Sequence, residues 1–398
     1  MSIPMAGIPA LTDLILLADR LYDGVAPDFQ RDQAIVLRGG MVAEMRDATA
    51  QDRGSPHAVR TAIAAPGMID IQINGAADAQ FNFDPTPETL GRMAAGAREG
   101  GTAHILPTFI TAHGQAYLQA LSAVRQAMAD RVPGIAGIHL EGPFLSPARP
   151  GIHDPSAIRP LDEEDVAALE HAARDFPGPI LLTLAPECQK PEHVRRLAEA
   201  GIILFAGHSE ANSEHLTHVS GVTHLWNAMP ALTSRTAGIV AEVLGGDRLF
   251  AGLIADGHHV GAGALRLSVR AAPDRLCLVT DAMLTLAGTV TGFELHGRQI
   301  RLSGGKLTAA DGTLAGAHIA LDESVRNLIA LTGIMPVDAL RMATISPARS
   351  LRCENRLGAI APGREASISL FDGSLSAVGV VVGRSLFLKG AHREPRVI

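Results

Sequence analysis

Between Pro66 and Ala343 the sequence repeats one pattern, an apolar run, a polar turn and a segment of helix length, and few folds accommodate such a repeat. The runs read as strands at 68–73, 103–108, 134–140, 180–184, 202–205, 222–224, 250–254 and 276–280. The segments between them include helices expected at 87–99, 112–129, 163–173, 192–200, 236–244 and 262–271. Strands buried on both faces by crossover helices are continuous apolar runs, as these are. Eight of them alternating with helices predict an α/β fold, a (β/α)8 TIM-type barrel. A glycine-containing insertion at 292–313 reads as hairpin-like and precedes a helix at 318–331.

The flanks have a different texture. Residues 33–37 form the clearest of several β-type runs before the barrel, separated by turns at Asp23-Gly24 and Gly39-Gly40. The run at 14–17 is apolar without alternation and suits strand or helix. Strand-like segments return at 366–370 and 378–382, on either side of Asp372-Gly373. Residues 1–62 with 346–398 are thus expected to form one small sheet domain, and residues 63–345 the barrel.

With 398 residues, 47% hydrophobic and 19% charged, the chain can bury a large core. A net charge of -7 without a long Lys/Arg run argues against nucleic acid or an anionic membrane as partner. Residues 1–11 lack a secretory signal pattern, and no run approaches the roughly 18 to 20 apolar residues of a spanning helix, so a soluble cytoplasmic protein is expected. The cysteines, Cys188, Cys277 and Cys353, are odd in number and far apart, which suits reduced thiols.

Chemistry in such a barrel sits where strands end at their C-terminal side. Glu141 closes the third strand, and a carboxylate there needs a strong compensating partner such as a metal ion. His208 and His224 close the fifth and sixth, and Asp281 the eighth. Two histidines and a carboxylate from different strands, with a fourth position open, are the donor set of a catalytic divalent metal. Asp281 is then placed to take a proton from water and return it to a leaving group. A lone histidine at a strand end is more often structural; four ionisable residues at four strand ends of one barrel are not. His139 shares a strand face with Glu141 and is expected to support it rather than to ligate. His104, His113, His171, His193, His215 and His218 read as strand or helix-face residues with structural or exposed roles.

Several segments carry a resemblance. Pro66-Gly67-Met68-Ile69-Asp70, His139-Leu140-Glu141-Gly142-Pro143-Phe144, Gly207-His208-Ser209, Thr223-His224-Leu225-Trp226-Asn227-Ala228-Met229, Ile254-Ala255-Asp256-Gly257-His258-His259-Val260 and Val279-Thr280-Asp281-Ala282 occur in order across the barrel. Together they resemble the N-acetylglucosamine-6-phosphate deacetylases of the amidohydrolase superfamily. The resemblance extends to the flanks, where it implies a small β-sandwich. It implies metal-dependent hydrolysis of the acetamide of N-acetylglucosamine 6-phosphate to glucosamine 6-phosphate and acetate, with Glu141, His208 and His224 as ligands and Asp281 as acid/base. By matching positions it implies substrate contacts from His153, Asn227, Ala228, Arg235 and His259, with Arg235 or His259 acting across a homodimer interface. The role of His258 is left open. Where many members of the superfamily have a His-x-His pair for a second metal, this chain has Gln72-Ile73-Asn74, so one divalent ion is expected, Zn2+ first and Fe2+ or another ion as alternatives. The segments Ala148-Arg149-Pro150-Gly151-Ile152 and Leu314-Ala315-Gly316-Ala317 depart from the pattern near the sugar rim and bear on substrate identity. The alternatives are N-acetylgalactosamine 6-phosphate, another acylated amine, or a non-catalytic binding protein on the same scaffold.

Overall fold

The computed structural model describes residues 13–235 and 238–389. The expectation for residues 1–11 lies outside the described residues, as do the first two residues of the helix expected at 236–244, whose described part is Ile239–Gly245.

Eight parallel strands stand side by side in chain order: Met68–Ile73, Thr102–Ile110, Ile138–Glu141, Ile180–Leu184, Ile203–Ala206, Gly221–Val222, Phe250–Ile254 and Leu276–Val279. Most of their residues are buried, as expected of strands with helices on one face and the barrel axis on the other. The first and last strands share no ladder within their named spans, and a set of single contacts stitches the seam between them. Asp281 N donates to Gln72 O at 2.8 Å, and Asn74 N donates to Ala282 O at 2.8 Å. The Thr280 hydroxyl donates to the buried Asp70 carboxylate at 2.5 Å.

Several boundaries differ from expectation for local reasons. The third strand starts at Ile138, because Gly134 turns the chain at φ +91°. The sixth strand is only Gly221–Val222, and His224 lies beyond it in a turn at φ +32°. The helix expected at 112–129 is Tyr117–Ala129, since Gly114 at φ +61° interrupts any helix begun at 112. His113 is therefore a loop residue, exposed and 3.2 Å from Asp154, and His218 lies in a turn. The helix expected at 318–331 is Leu321–Thr332, ended by left-handed Gly333.

The insertion is more than a hairpin. Gly292–Leu295, Arg298–Ser303, Lys306–Ala309 and Leu314–Ala317 form a four-stranded antiparallel sheet. Its buried face, Leu295, Ile300, Leu307 and Ala315, packs with Ile110 and Met283 and so docks at the barrel mouth.

The chain ends build one seven-stranded mixed sheet, in the order Ser385–Leu388, Ala377–Val382, Ser367–Phe371, Ala58–Pro66, Asp13–Leu21, Gln30–Arg38 and Met41–Asp47. The 14–17 run is a strand; it is paired on both edges, with Gln30–Arg38 and Ala58–Pro66, and covered on both faces, which explains its unbroken apolarity. The sandwich expected here is this single sheet curled on itself: Val42 N donates to Arg364 O and Gly363 N to Val42 O, each at 2.8 Å, around Leu16, Ile35, Ile368 and Val381. The strand Ala58–Pro66 runs across the 62/63 division, and the helix Ile345–Ser350 packs on the first and last barrel strands.

Candidate active site and metal centre

Glu141, His208 and His224 converge at the C-terminal mouth of the barrel, all but inaccessible to solvent. Nε2 of His224 is 3.0 Å and Nε2 of His208 3.4 Å from Glu141 Oε1, and the two nitrogens are 3.1 Å apart. Donors around one tetrahedral ion with bonds of about 2.0–2.2 Å stand roughly 3.3 Å apart, so these atoms fit a single divalent cation. The protonation pattern agrees. His208 Nδ1 lies 2.8 Å from the Arg149 carbonyl and donates to it, which leaves Nε2 as the ring nitrogen that faces the cluster, where a cation would take the place of its proton. Burial raises the Glu141 carboxyl, but the two imidazoles outweigh it and hold it well below its usual range.

Turns at the strand ends aim these groups inward. His208 (φ +48°), His224 (φ +32°) and Asp281 (φ +51°) all adopt left-handed backbone conformations without being glycine. Each costs on the order of 1–3 kcal/mol, and such conformations gather at functional sites because the surrounding fold enforces them. The loop after Glu141 adds restraint. Ser146 N donates to His208 O at 2.9 Å, and Gly151, at φ +57°, lies so close that a Cβ would come 3.0 Å from His208 Cε1.

Asp281 stands beside this cluster. Burial, then the charge of Glu141, pushes its carboxyl up to about 6, which suits a group that takes and returns a proton near neutrality. Its Oδ1 accepts from Asn74 Nδ2 at 2.7 Å and from Gln72 Nε2 at 3.2 Å. Gln72 Nε2 also lies 3.2 and 3.3 Å from the Glu141 oxygens. Two carboxylates so placed oblige both carboxamides to present NH2, so Gln72 and Asn74 face the cluster as donors and not as ligands.

His153, also buried, has Nδ1 2.8 Å from Thr111 Oγ1, and its ring centroid is 4.3 Å from that of His208. Glu141, His153 and His208 offer donor atoms within 4.8 Å of one another, a looser triangle than the one completed by His224. His259 Nδ1 donates to Asp256 Oδ2 at 2.6 Å. These residues, with Asn74, Asn227, Ala228 and Asp281, line a cavity of about 520 Å³, walled on one side by residues 148–153 and on the other by Met283, Gly312, Thr313, Leu314 and Gly316. Both segments that departed from the resemblance thus border the cavity.

Arg235 and His258 are both exposed, and neither lines the cavity of its own chain. Both ring nitrogens of His139 are engaged, by Thr108 at 3.1 Å and Thr183 at 2.7 Å, which leaves none for a metal. Sequence reasoning gave no role to Asp256, Thr111 or the Arg149 carbonyl. The Asp256-x-x-His259 spacing is a readable signal, because an aspartate can cap the turn that follows and meet a histidine three residues on. Thr111 and a backbone carbonyl leave no such mark.

The model of the amidohydrolase family matches residues 63–389. An N-acetylgalactosamine-6-phosphate deacetylase of Shewanella sp. (strain ANA-3) is 34% identical over 94% of this chain and 96% of its own length. An N-acetylglucosamine-6-phosphate deacetylase of Haemophilus influenzae is 30% identical over 89% of this chain and 94% of its own. The crystal structure of N-acetylglucosamine-6-phosphate deacetylase from Pasteurella multocida superposes with a TM-score of 0.88 at 29% identity, covering 94% of this chain and all of that one. Matched in sequence over the barrel and in shape over nearly its whole length, the chain belongs to the amidohydrolase family, in the branch of these deacetylases.

Proposed function

We propose that the protein hydrolyses the acetamide of N-acetylglucosamine 6-phosphate, giving glucosamine 6-phosphate and acetate, with one divalent ion, zinc, as cofactor. The observation that carries this reading is the convergence of Glu141, His208 and His224 on one point beside the half-buried Asp281. When bound there, the ion supplies Lewis acidity toward the acetyl carbonyl and the attacking water. Asp281 takes the proton of that water and delivers it to nitrogen as the C–N bond breaks. Gln72 and Asn74 hold Asp281 by Oδ1, which leaves Oδ2 to carry the proton. His153 and His259 orient the sugar and its amide, each fixed by a partner, Thr111 and Asp256. Asn227 and Ala228 are assigned to the phosphate, and Arg235 to the same phosphate across a homodimer interface. Arg149 is the one Lys or Arg among the described residues lining the cavity, and it is paired with Glu210 at 3.1 Å.

A second reading takes N-acetylgalactosamine 6-phosphate as substrate; the 34% identical Shewanella deacetylase acts, by its name, on that epimer. The division of the chain at 63 and 345, and a cytoplasmic location, are part of the same proposal. Among the described residues no helix is long and apolar enough to cross a membrane. Acetate release from the two sugar phosphates, and from both without phosphate, tests the assignment. Asp281→Asn is expected to keep its metal and lose roughly 10²–10⁴-fold in turnover. Normal turnover in that variant overturns the mechanism, and no acetate from either substrate overturns the function.

A further inference from the structure

Asn74 is 2% exposed, its Nδ2 is committed to Asp281, and its Oδ1 is buried with no hydrogen-bond partner. The amide cannot be turned over to relieve this, because Oδ1 would then lie 2.7 Å from a carboxylate oxygen. A buried carbonyl oxygen without a partner is uncommon and costs on the order of 1–3 kcal/mol. Asn74 also lines the cavity that holds Asp281, His153 and His259. A hydrogen-bond donor carried by a ligand in this cavity would satisfy that oxygen next to the acid/base.

We infer that Asn74 Oδ1 accepts the N–H of the scissile acetamide and holds the nitrogen while it becomes the leaving amine. The inference rests on the deacetylase reading. In that reaction the water oxygen bonds to the acetyl carbon and its proton passes to Asp281 Oδ2. The same proton moves to nitrogen as the C–N bond breaks, with the bonding pair leaving on nitrogen. Protonation requires the nitrogen lone pair to face Asp281, and an N–H fixed on Asn74 imposes that rotation. One carboxamide thus ties the acid to the atom it protonates: Nδ2 on Asp281, Oδ1 on the substrate nitrogen. An acyl ester, which has no N–H, gains nothing from the contact, so Asn74 selects amides.

Binding in the Asp281→Asn background isolates the contact, because turnover is suppressed and any effect exerted only through the Asp281 charge is removed. Metal-loaded Asp281→Asn is titrated by calorimetry with N-acetylglucosamine 6-phosphate and with its 2-O-acetyl ester counterpart. Adding Asn74→Ala is expected to weaken the amide about tenfold and the ester less than twofold. The exchanged pair Asn74→Asp with Asp281→Asn keeps an acceptor at residue 74 and a donor at 281, and is expected to bind the amide within threefold of Asp281→Asn. Metal content and melting temperature, measured on each variant, identify one that has lost its fold, and the exchanged pair then decides. Equal weakening of amide and ester, no weakening, or failure of the exchanged pair to hold the amide overturns the inference. If wild-type enzyme releases no acetate from either sugar phosphate, the functional reading itself is wrong, and that result is separate.

Discussion

Replacing Gly151 by alanine is expected to weaken metal binding although residue 151 is no ligand. Two costs follow from its position. A non-glycine residue at φ +57° costs about 1–2 kcal/mol whether or not metal is present. The new Cβ would meet His208 Cε1 at 3.0 Å and Nδ1 at 3.5 Å, and that Nδ1 is held by its hydrogen bond to the Arg149 carbonyl. The imidazole must turn by a few tenths of an ångström, and disturbing the groups that orient a ligand histidine typically weakens a site 10–100-fold. With free metal at 100 times the wild-type dissociation constant, the wild type gains about 2.7 kcal/mol of stability, of which the variant forfeits roughly 1.3–2.3. Chemical denaturation of loaded and stripped protein measures the difference, and competition with a chromogenic chelator gives the affinity directly. If Gly151→Ala is destabilised equally with and without metal, the loop does not orient His208.

Other outcomes follow from single contacts. Burial pushes the Asp70 carboxyl up to about 7 from 3.8, so the folded state holds this proton more tightly than the unfolded one. Its contribution is fully present below pH 3.8 and is lost as pH rises toward 7, about 4 kcal/mol in all. Asn at residue 70 can still accept from the Gln72 and Thr280 amides and donate to the Thr280 hydroxyl, so stripped Asp70→Asn should lack this fall; parallel pH–stability curves for variant and wild type refute it. Asp256→Asn removes a charged acceptor from His259 Nδ1, a hydrogen bond of the kind worth about 1.5–3 kcal/mol, and should lower kcat/KM roughly 10–100-fold with metal content unchanged. Stripping the metal with a chelator should abolish acetate release and lower the melting temperature, and one equivalent of zinc should restore both; restoration that requires two equivalents contradicts a single site.

The barrel was legible because its strands are buried on both faces and so form unbroken apolar runs between turns. The same periodicity says little about where a strand stops. The sixth ends at Val222, and a left-handed turn, not a longer strand, brings His224 to the site. The ligand set and Asp281 could be read because strand ends in such a barrel share one face. Their distances could not, nor could the carboxamide contacts, because whether Gln72 donates or ligates depends on carboxylates 69 and 209 residues away. Arg235 shows the opposite limit. A resemblance assigns it to the phosphate, yet the geometry of one chain leaves it outside the cavity.

The seam between the first and last barrel strands divides the site in two. Glu141 ends the third strand and His208 and His224 follow the fifth and sixth, an arc away from the seam, whereas Asn74 and Asp281 face each other across it. The three donors depend on one unbroken run of strands, whereas Asp281 and Asn74 meet only where the cylinder closes. A disturbance confined to the seam is thus expected to cost the acid/base its position while leaving the three donors together.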